Sequence, residues 1–445
     1  MNAPESANAA AQADNLLRVL FPMCRSITGA GVRKTLSILR DIVPFEVHEV
    51  PSGTVCFDWT IPDEWNVRDA FIADERGTRL VDFQASNVHL VSYSEPVDAV
   101  LSFAELAPHL HRLDEMPTAI PYRTSYYRRT WGFCLTAEQY HRLDRAARYR
   151  VKIDATLAPG SLTYGERVLS GTSGKEFLIT TYCCHPSLAN DNLSGQVLWT
   201  LLLKELARRT LRHSYRFVIA PETIGSIAYL ARNEGKLGNV AGGFVVTTVG
   251  GPGSLGMKHS FQNDGYMDRV AKQALRDGGK EFREHPFEVL GSDERNFSGP
   301  AFRIPMATIC KDKYYEYREY HTSLDNLDFV RGDAIAETLA AYLRAIEILE
   351  ADVRLVSLAP PGEPQLGKRG LYPTGGGSTT PAAGAARQDT GAAATVAATL
   401  SVLFWADGKT SLLEVAERTG MAFGVVAAAA SRLREAGLVG EARAA

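Results

Sequence analysis

The chain reads as an α/β protein: a mostly parallel sheet covered by helices, with an inserted β-rich domain and a C-terminal winged helix-turn-helix. Three observations carry this reading. From Thr163 to Leu349, short apolar runs alternate with segments whose apolar residues recur at helical spacing, the rhythm of strands joined by crossover helices. Between Val55 and Ile153 that rhythm gives way to short strand-like runs set between Pro, Gly and Asp. After Pro360, Pro-Pro, Gly-Gly-Gly-Ser and Pro-Ala-Ala-Gly follow in succession and set off a tail with three short helical patterns.

The 445 residues suggest two or three domains at about 150 residues each. Hydrophobic residues make up 45% and charged residues 22%, the balance of a soluble globular chain with a large core. A net charge of -3 supplies no global basic field to draw in nucleic acid or an anionic membrane. The start, Met1 to Ala9, lacks a basic segment followed by an apolar core, so no secretory signal is expected. No apolar run approaches the ~20 residues that span a bilayer. Six cysteines (24, 56, 134, 183, 184, 310) are too sparse for a disulfide framework and read as reduced thiols. A cytoplasmic protein is the expectation.

Residues 1–13 are Ala-rich and polar and are expected to fray. Asn15 to Ile42 reads as helical pieces broken at Pro22 and Gly29-Ala-Gly31, and Phe45 to Val50 alternates as a half-buried strand. Together, residues 14–54 form the first part of the main domain. The β-rich insert spans 55–153, with strand-like runs at Thr54–Thr60, Ala70–Ala73 and Val88–Val91. Within it, Tyr122, Tyr126, Tyr127, Trp131 and Phe133 lie beside Arg123, Arg128 and Arg129. This group suits a substrate cleft or a single-stranded nucleic acid groove, but an ordinary domain surface with a buried aromatic side is the favoured reading. The main domain resumes over 154–359. Strands are expected at Phe177–Cys183, Tyr215–Ala220 and Gly243–Val249, with a further apolar run at Phe302–Cys310, and helices at Leu193–Arg209, Thr223–Glu234, Gly265–Asp277 and Arg331–Leu349.

A flexible linker is placed at 360–389 and the winged-helix module at 390–445. In that module basic residues (409, 418, 432, 434, 443) are matched by acids (407, 414, 417, 435, 441). Its expected recognition helix, Phe423-Gly-Val-Val-Ala-Ala-Ala-Ala-Ser-Arg, offers little to base edges or phosphates. A protein-contacting or regulatory module is expected rather than a nucleic acid partner, and the module and linker are compatible with a homodimer.

The chemistry gathers at strand ends. Leu178 to Gly195 runs from an apolar strand into a polar turn carrying His185 and Asp191, then into a helix. Open α/β sheets place ligands at such points. Glu222 ends the strand Phe217-Val-Ile-Ala-Pro, Asp293 sits in Gly291-Ser-Asp-Glu, and His321 in Tyr320-His-Thr-Ser-Leu-Asp325. Two neutral imidazoles and a carboxylate are the set that a catalytic zinc uses, with one position left for water. Zinc lowers the pKa of that water, and a nearby carboxylate takes its proton as it attacks a carbonyl. His185, Asp191 and His321 are the candidate ligands, and Glu222 the candidate base.

Asn190-Asp-Asn-Leu-Ser-Gly195, Ala220-Pro-Glu-Thr-Ile-Gly-Ser226, Gly291-Ser-Asp293 and Tyr320-His-Thr-Ser-Leu-Asp325 together resemble the zinc aminopeptidase fold of bacterial leucyl aminopeptidases and glutamate carboxypeptidase. With Cys183-Cys-His-Pro-Ser187, the insert and the C-terminal winged helix, the chain is most similar to bacterial aminopeptidase-like proteins associated with surface polysaccharide or secondary-metabolite gene sets. The resemblance matches His185, Asp191 and His321 to the first His, the shared Asp and the last His of a two-zinc centre, and Glu222 to the base. It also marks departures: Thr223 and Thr247 stand where each metal's private carboxylate is expected, and Ser187 where an Asp orients the first His. One zinc per chain is therefore inferred. A register shift of one at Pro221-Glu-Thr would make Glu222 a ligand instead. Asp293 and Tyr320 are expected near the substrate, a peptide, a small molecule or a carbohydrate-linked amide. A non-catalytic metal- or ligand-binding protein and a DNA-binding regulator are the alternatives.

Other signals point elsewhere. Gly251-Pro-Gly-Ser-Leu-Gly256 fits the dinucleotide pattern, but Met257-Lys-His-Ser opens no helix for a pyrophosphate. Cys183 and Cys184 end a buried strand and are read as small apolar residues rather than a nucleophile or a soft metal site. No Gly-x-Ser-x-Gly elbow occurs. The run Tyr314 to Tyr320 either hangs phenols over the cleft or forms an exposed, strand-like connection.

Overall fold

The computed structural model describes residues 3–371 and 391–442, so 372–389 of the expected linker lie outside the described residues. Two compact units emerge: Met1–Asp268 with Glu281–Tyr342, and Arg269–Lys280 with Leu343–Ala445.

The first unit begins with α1 (Ala3–Leu20), a continuous helix where fraying was expected. The alanines are the reason: they favour helix intrinsically, and Ala13, Leu16, Leu17 and Leu20 bury one side. Next, α2 (Ala30–Ile42) buries Val32, Thr35, Leu36 and Leu39 at helical spacing. Gly29 precedes it at φ 101°, where a Cβ would lie 2.2 Å from the Trp65 carbonyl oxygen, so only glycine fits.

An eight-stranded sheet organises this unit. Its strands are β1 (Glu46–Pro51), β2 (Ser161–Leu169), β3 (Glu176–Tyr182), β4 (Ser214–Ala220), β5 (Val240–Val245), β6 (Gly256–Lys258), β7 (Arg283–His285) and β8 (Met306–Cys310), in the order β1-β2-β4-β3-β5-β8-β6-β7. The central four, β4, β3, β5 and β8, are parallel. The margins make the sheet mixed: β1, β2 and β6 each pair antiparallel with a neighbour. Sequence periodicity could not find β6 or β7, which have three residues each. In the middle, Ile179 of β3 sits opposite Phe217 on one side and Phe244 on the other. Helix α3 (Gly195–Leu206) returns from β3, and α4 (Ile224–Asn233) from β4. The expected strand at Gly243–Val249 leaves the sheet at Val245, which puts Thr247 beyond its end.

The inserted segment builds an antiparallel sheet in the order Arg79–Asp82, Glu64–Ala73, Arg148–Ala158, Val97–Ser102. Ile72, Val151 and Ile153 are buried. The exposed residues pair their charges as Arg68–Asp154, Arg79–Asp69 and Arg150–Asp98. One dry face and one wet face are usual for an antiparallel sheet.

Helices α5 (Tyr266–Arg276) and α6 (Gly332–Ala351) each carry residues of both units. In the second unit, Arg354–Ser357 pairs antiparallel with both Asp407–Ser411 and Val439–Glu441. Against this sheet stand α7 (Gly391–Phe404), α8 (Leu412–Thr419) and α9 (Phe423–Glu435). Ser411 and Glu414 form a capping box at the start of α8, and Gly420 ends it at φ 68°. The start of α9 is capped from outside the helical module: Asp277 Oδ2 accepts from the Phe423 N–H at 2.9 Å. Arg269 pairs with Glu417, and Gln273 donates to the Met421 carbonyl at 3.3 Å.

Candidate active site

The turn after β3 and the loop before α6 bring the three expected ligands together. His185 Nε2 lies 3.7 Å from Asp191 Oδ2, and His321 Nε2 lies 3.0 Å from the same oxygen. Ligand atoms of the three lie within 4.8 Å of one another, with His185 and Asp191 buried and His321 half-buried. A tetrahedral ion about 2.0–2.1 Å from nitrogen and oxygen donors sets them about 3.3 Å apart, and the two observed edges lie on either side of that value. His321 Nε2 is buried with no hydrogen-bond partner. The residues present therefore fit a zinc ion.

Electrostatics agree with the geometry. Burial pushes His185 down to about 4, with His321 and Arg25 acting in the same sense against Asp191, so a neutral imidazole with a free lone pair faces the site. Burial pushes the Asp191 carboxyl up. His185, His321 and the Tyr182 hydroxyl outweigh it and hold the group at about 2, ionised.

The candidate ligands are held from behind by residues to which the sequence reading gives no role. Tyr182 donates to Asp191 Oδ1 at 2.5 Å and also meets Thr247 Oγ1 at 2.7 Å. Asp325 accepts the backbone N–H groups of Asn190 at 2.5 Å and Asp191 at 2.9 Å, and the Tyr317 hydroxyl at 3.1 Å. The Arg25 guanidinium, buried, donates to the carbonyls of His185 (2.9 Å), Pro186 (2.8 Å) and Leu20 (2.7 Å). Ser187 does not orient His185; its hydroxyl donates to the Phe21 carbonyl at 2.6 Å.

The favoured view of the aromatic–arginine group as an ordinary domain surface with a buried aromatic side does not hold for Tyr122. The Tyr122 ring lies 5.1 Å from the His185 ring and 5.2 Å from that of His321, and its hydroxyl is 3.0 Å from that of Tyr126. The backbone explains the approach. Tyr122 N–H donates to the His321 carbonyl at 2.8 Å, and Ser323 N–H to the Ile120 carbonyl at 2.8 Å, so the insert is stitched to the ligand loop. Tyr127, Arg128 and Arg129 stay exposed. No local pattern announces Tyr122, because its partners His185 and His321 lie far along the chain.

Glu222 follows β4 and is partly exposed. Its Oε1 accepts from Ser292 Oγ at 2.6 Å, and its N–H points at Cys184 Sγ at 3.3 Å. Burial, then the charges of Asp293 and Asp191, push its carboxyl well above the ordinary range against the Ser292 bond. It groups with His185 and Cys184 rather than with Asp191 and His321. Thr223, at φ 62°, opens α4. Asp293 Oδ1 accepts from the Thr223 N–H (2.8 Å), Ser226 Oγ (2.8 Å) and Asn296 Nδ2 (3.3 Å), so it fastens that helix start behind Glu222. Tyr320 stacks on His321 with ring centroids 3.9 Å apart.

The run Tyr314 to Tyr320 is turn-rich, not strand-like. Tyr314 is buried and bonded to Lys258 and Glu294. The Gly251–Gly256 loop leads into β6 rather than a helix, and the Asp312 carboxylate accepts from the Gly253 N–H at 3.3 Å, which places an acid where a phosphate would sit. Among the described residues no helix is long and apolar enough to cross a membrane.

Comparison with known proteins extends these observations. Residues 14–352 match the family described as a domain of unknown function, DUF4910, and residues 354–441 match a winged helix-turn-helix family. A Clostridium acetobutylicum protein is 44% identical over 420 residues, covering 94% of each chain; its provisional name is a polysaccharide biosynthesis protein with an aminopeptidase-like domain. A crystal structure from the same organism, provisionally named a peptidase, superposes with a TM-score of 0.91 at 41% identity over 98% of each chain. The zinc aminopeptidase BSAP of Bacillus subtilis shares the fold, with a TM-score of 0.55 at 13% identity over 77% of this chain and 94% of that one. The chain thus belongs to the DUF4910 family, an aminopeptidase fold joined to a C-terminal winged helix.

Proposed function

We propose that the protein is a zinc-dependent hydrolase of an amide or peptide bond, with one ion held by His185, Asp191 and His321 and with Glu222 as general base. The single observation that carries this reading is the convergence of both imidazoles on one oxygen of Asp191, with a carboxyl of raised pKa alongside. A bound zinc would supply a Lewis acid for the carbonyl and acidify a water. Glu222 takes the proton of the water that attacks the carbonyl and returns it to the departing nitrogen. Ser292 fixes one carboxyl oxygen of Glu222, and Asp293 acts as a positioning residue by anchoring Thr223. Tyr320 and Tyr122 wall the site beside His321.

Support for a single ion in this centre comes from Tyr182, whose hydroxyl occupies the Asp191 oxygen that a second metal would share, and from Thr223 and Thr247 in place of carboxylates. The relative named for polysaccharide biosynthesis favours a peptide or carbohydrate-linked amide substrate. All six cysteines are free thiols, which suits the cytoplasm. The regulator reading has less support, because the recognition-helix end that would meet base edges is capped by the acidic Asp277.

Metal analysis beside a panel of aminoacyl, peptidyl and N-acyl-sugar amides tests the proposal. About one zinc per chain and turnover lost in Glu222→Gln are expected. Less than half an equivalent, unchanged in His185→Ala and His321→Ala, would sink it.

A further inference from the structure

The His185 ring presents its two nitrogens to different donors. Nε2 faces Asp191, whereas Nδ1 lies 3.6 Å from Cys184 Sγ. Ligand atoms of Cys184, His185 and Glu222 all lie within 4.8 Å of one another. We infer that a second, thiophilic divalent cation binds at the Nδ1 edge of His185, held by the Cys184 thiolate, the imidazole and the Glu222 carboxylate.

Three observations carry this inference. First, a tetrahedral ion about 2.3 Å from sulfur and about 2.0–2.1 Å from nitrogen sets those donors about 3.5 Å apart, and the observed separation is 3.6 Å. Second, the Glu222 N–H is aimed at Cys184 Sγ at 3.3 Å, an interaction that strengthens when the sulfur carries charge. Third, Cys184 and His185 are buried while Glu222 is partly exposed, so solvent reaches one member of the set. Thiolate, imidazole and carboxylate together suit zinc, cadmium or cobalt rather than magnesium or calcium.

A bound ion would displace the protons of the thiol, of Glu222 and of Nδ1 to solvent, and His185 would serve both sites. The site takes away the general base of the proposed hydrolase. Excess zinc or cadmium therefore acts as an inhibitor, and Cys184 sets the threshold.

Cobalt titration of the metal-free full-length protein is the test, with cobalt(II) itself as the probe. The first equivalent should give d–d absorption alone, and further cobalt a sulfur-to-cobalt charge-transfer band in the near ultraviolet. Cys184→Ser should abolish that band and keep the first phase, and Cys183→Ala should keep both. His321→Ala should remove the first phase and spare the band, which separates this inference from the ligand assignment on which the proposed function rests. A band absent at every cobalt loading, or one that survives Cys184→Ser, overturns the inference. A band present in the first phase and untouched by His321→Ala would instead overturn the ligand assignment and leave the thiolate site standing.

Discussion

The turn that follows β3 and the helices of the second unit treat their polar groups in opposite ways. In the second unit, side chains close on other side chains and on helix ends: Ser411 with Glu414, Arg269 with Glu417, Asp277 on the start of α9. At the turn, the protein grips each group from behind and leaves its front bare. Asp191 is held by Tyr182 and its own N–H by Asp325, while buried His321 Nε2, 3.0 Å from Asp191 Oδ2, makes no hydrogen bond of good geometry. Buried polar atoms are nearly always satisfied, so a cluster that is supported on one side only marks where a ligand belongs. The contrast teaches that the second unit closes its polar groups on one another, whereas the turn after β3 keeps buried polar atoms without a partner of good geometry.

The largest effect should come from the ligands. His185→Ala or His321→Ala should reduce zinc from about one per chain to a trace by atomic emission; full retention in both would erase the contrast. Next, Glu222→Gln should lower kcat by roughly 10²–10⁴-fold with zinc content unchanged. Tyr182→Phe sharpens the comparison by removing one backing contact, and zinc affinity should fall about 10–100-fold. An unchanged affinity would mean that Tyr182 serves packing alone.

Asp293 gives a pH signature. Burial pushes its carboxyl from 3.8 up to about 6, so the folded state binds this proton more tightly than the unfolded chain does. Its contribution to stability is fully present below about 4 and is lost as pH rises through about 6. Urea midpoints of the metal-free protein should carry this downward slope, and Asp293→Asn should flatten it. Parallel slopes in the two proteins would remove Asp293 as the source. The smallest effect is expected in the second unit: Asp277→Ala should cost about 1 kcal/mol, the usual value of a lost helix cap, read by thermal unfolding. If that variant also retained duplex DNA in a mobility shift, the second unit would have to be reassigned.

Among the candidate ligands, Asp191 and His321 were legible from the loop motifs that carry them, and His185 because it follows an apolar run, whose end a parallel sheet brings to the site. Glu222 was legible for the same reason. The backing residues were not. Tyr182 reads as one more strand residue, and its hydroxyl matters only because β3 and β5 lie side by side, bringing Thr247 within reach. Tyr122 and Arg25 act on residues far along the chain, which periodicity cannot register. The strands β6 and β7 were hidden by brevity, and α1 by an alanine content that reads equally well as tail or helix.

Arg25 carries one more consequence. Its three hydrogen bonds end on peptide carbonyls, one of them that of His185, so the segment around Arg25 acts as a splint for a turn 160 positions away. A fork of that shape cannot be mimicked by the single ammonium of lysine. Trimming the first twenty-five residues to obtain a tidier crystallisation sample would therefore loosen the turn that carries His185 and Asp191 while sparing both residues.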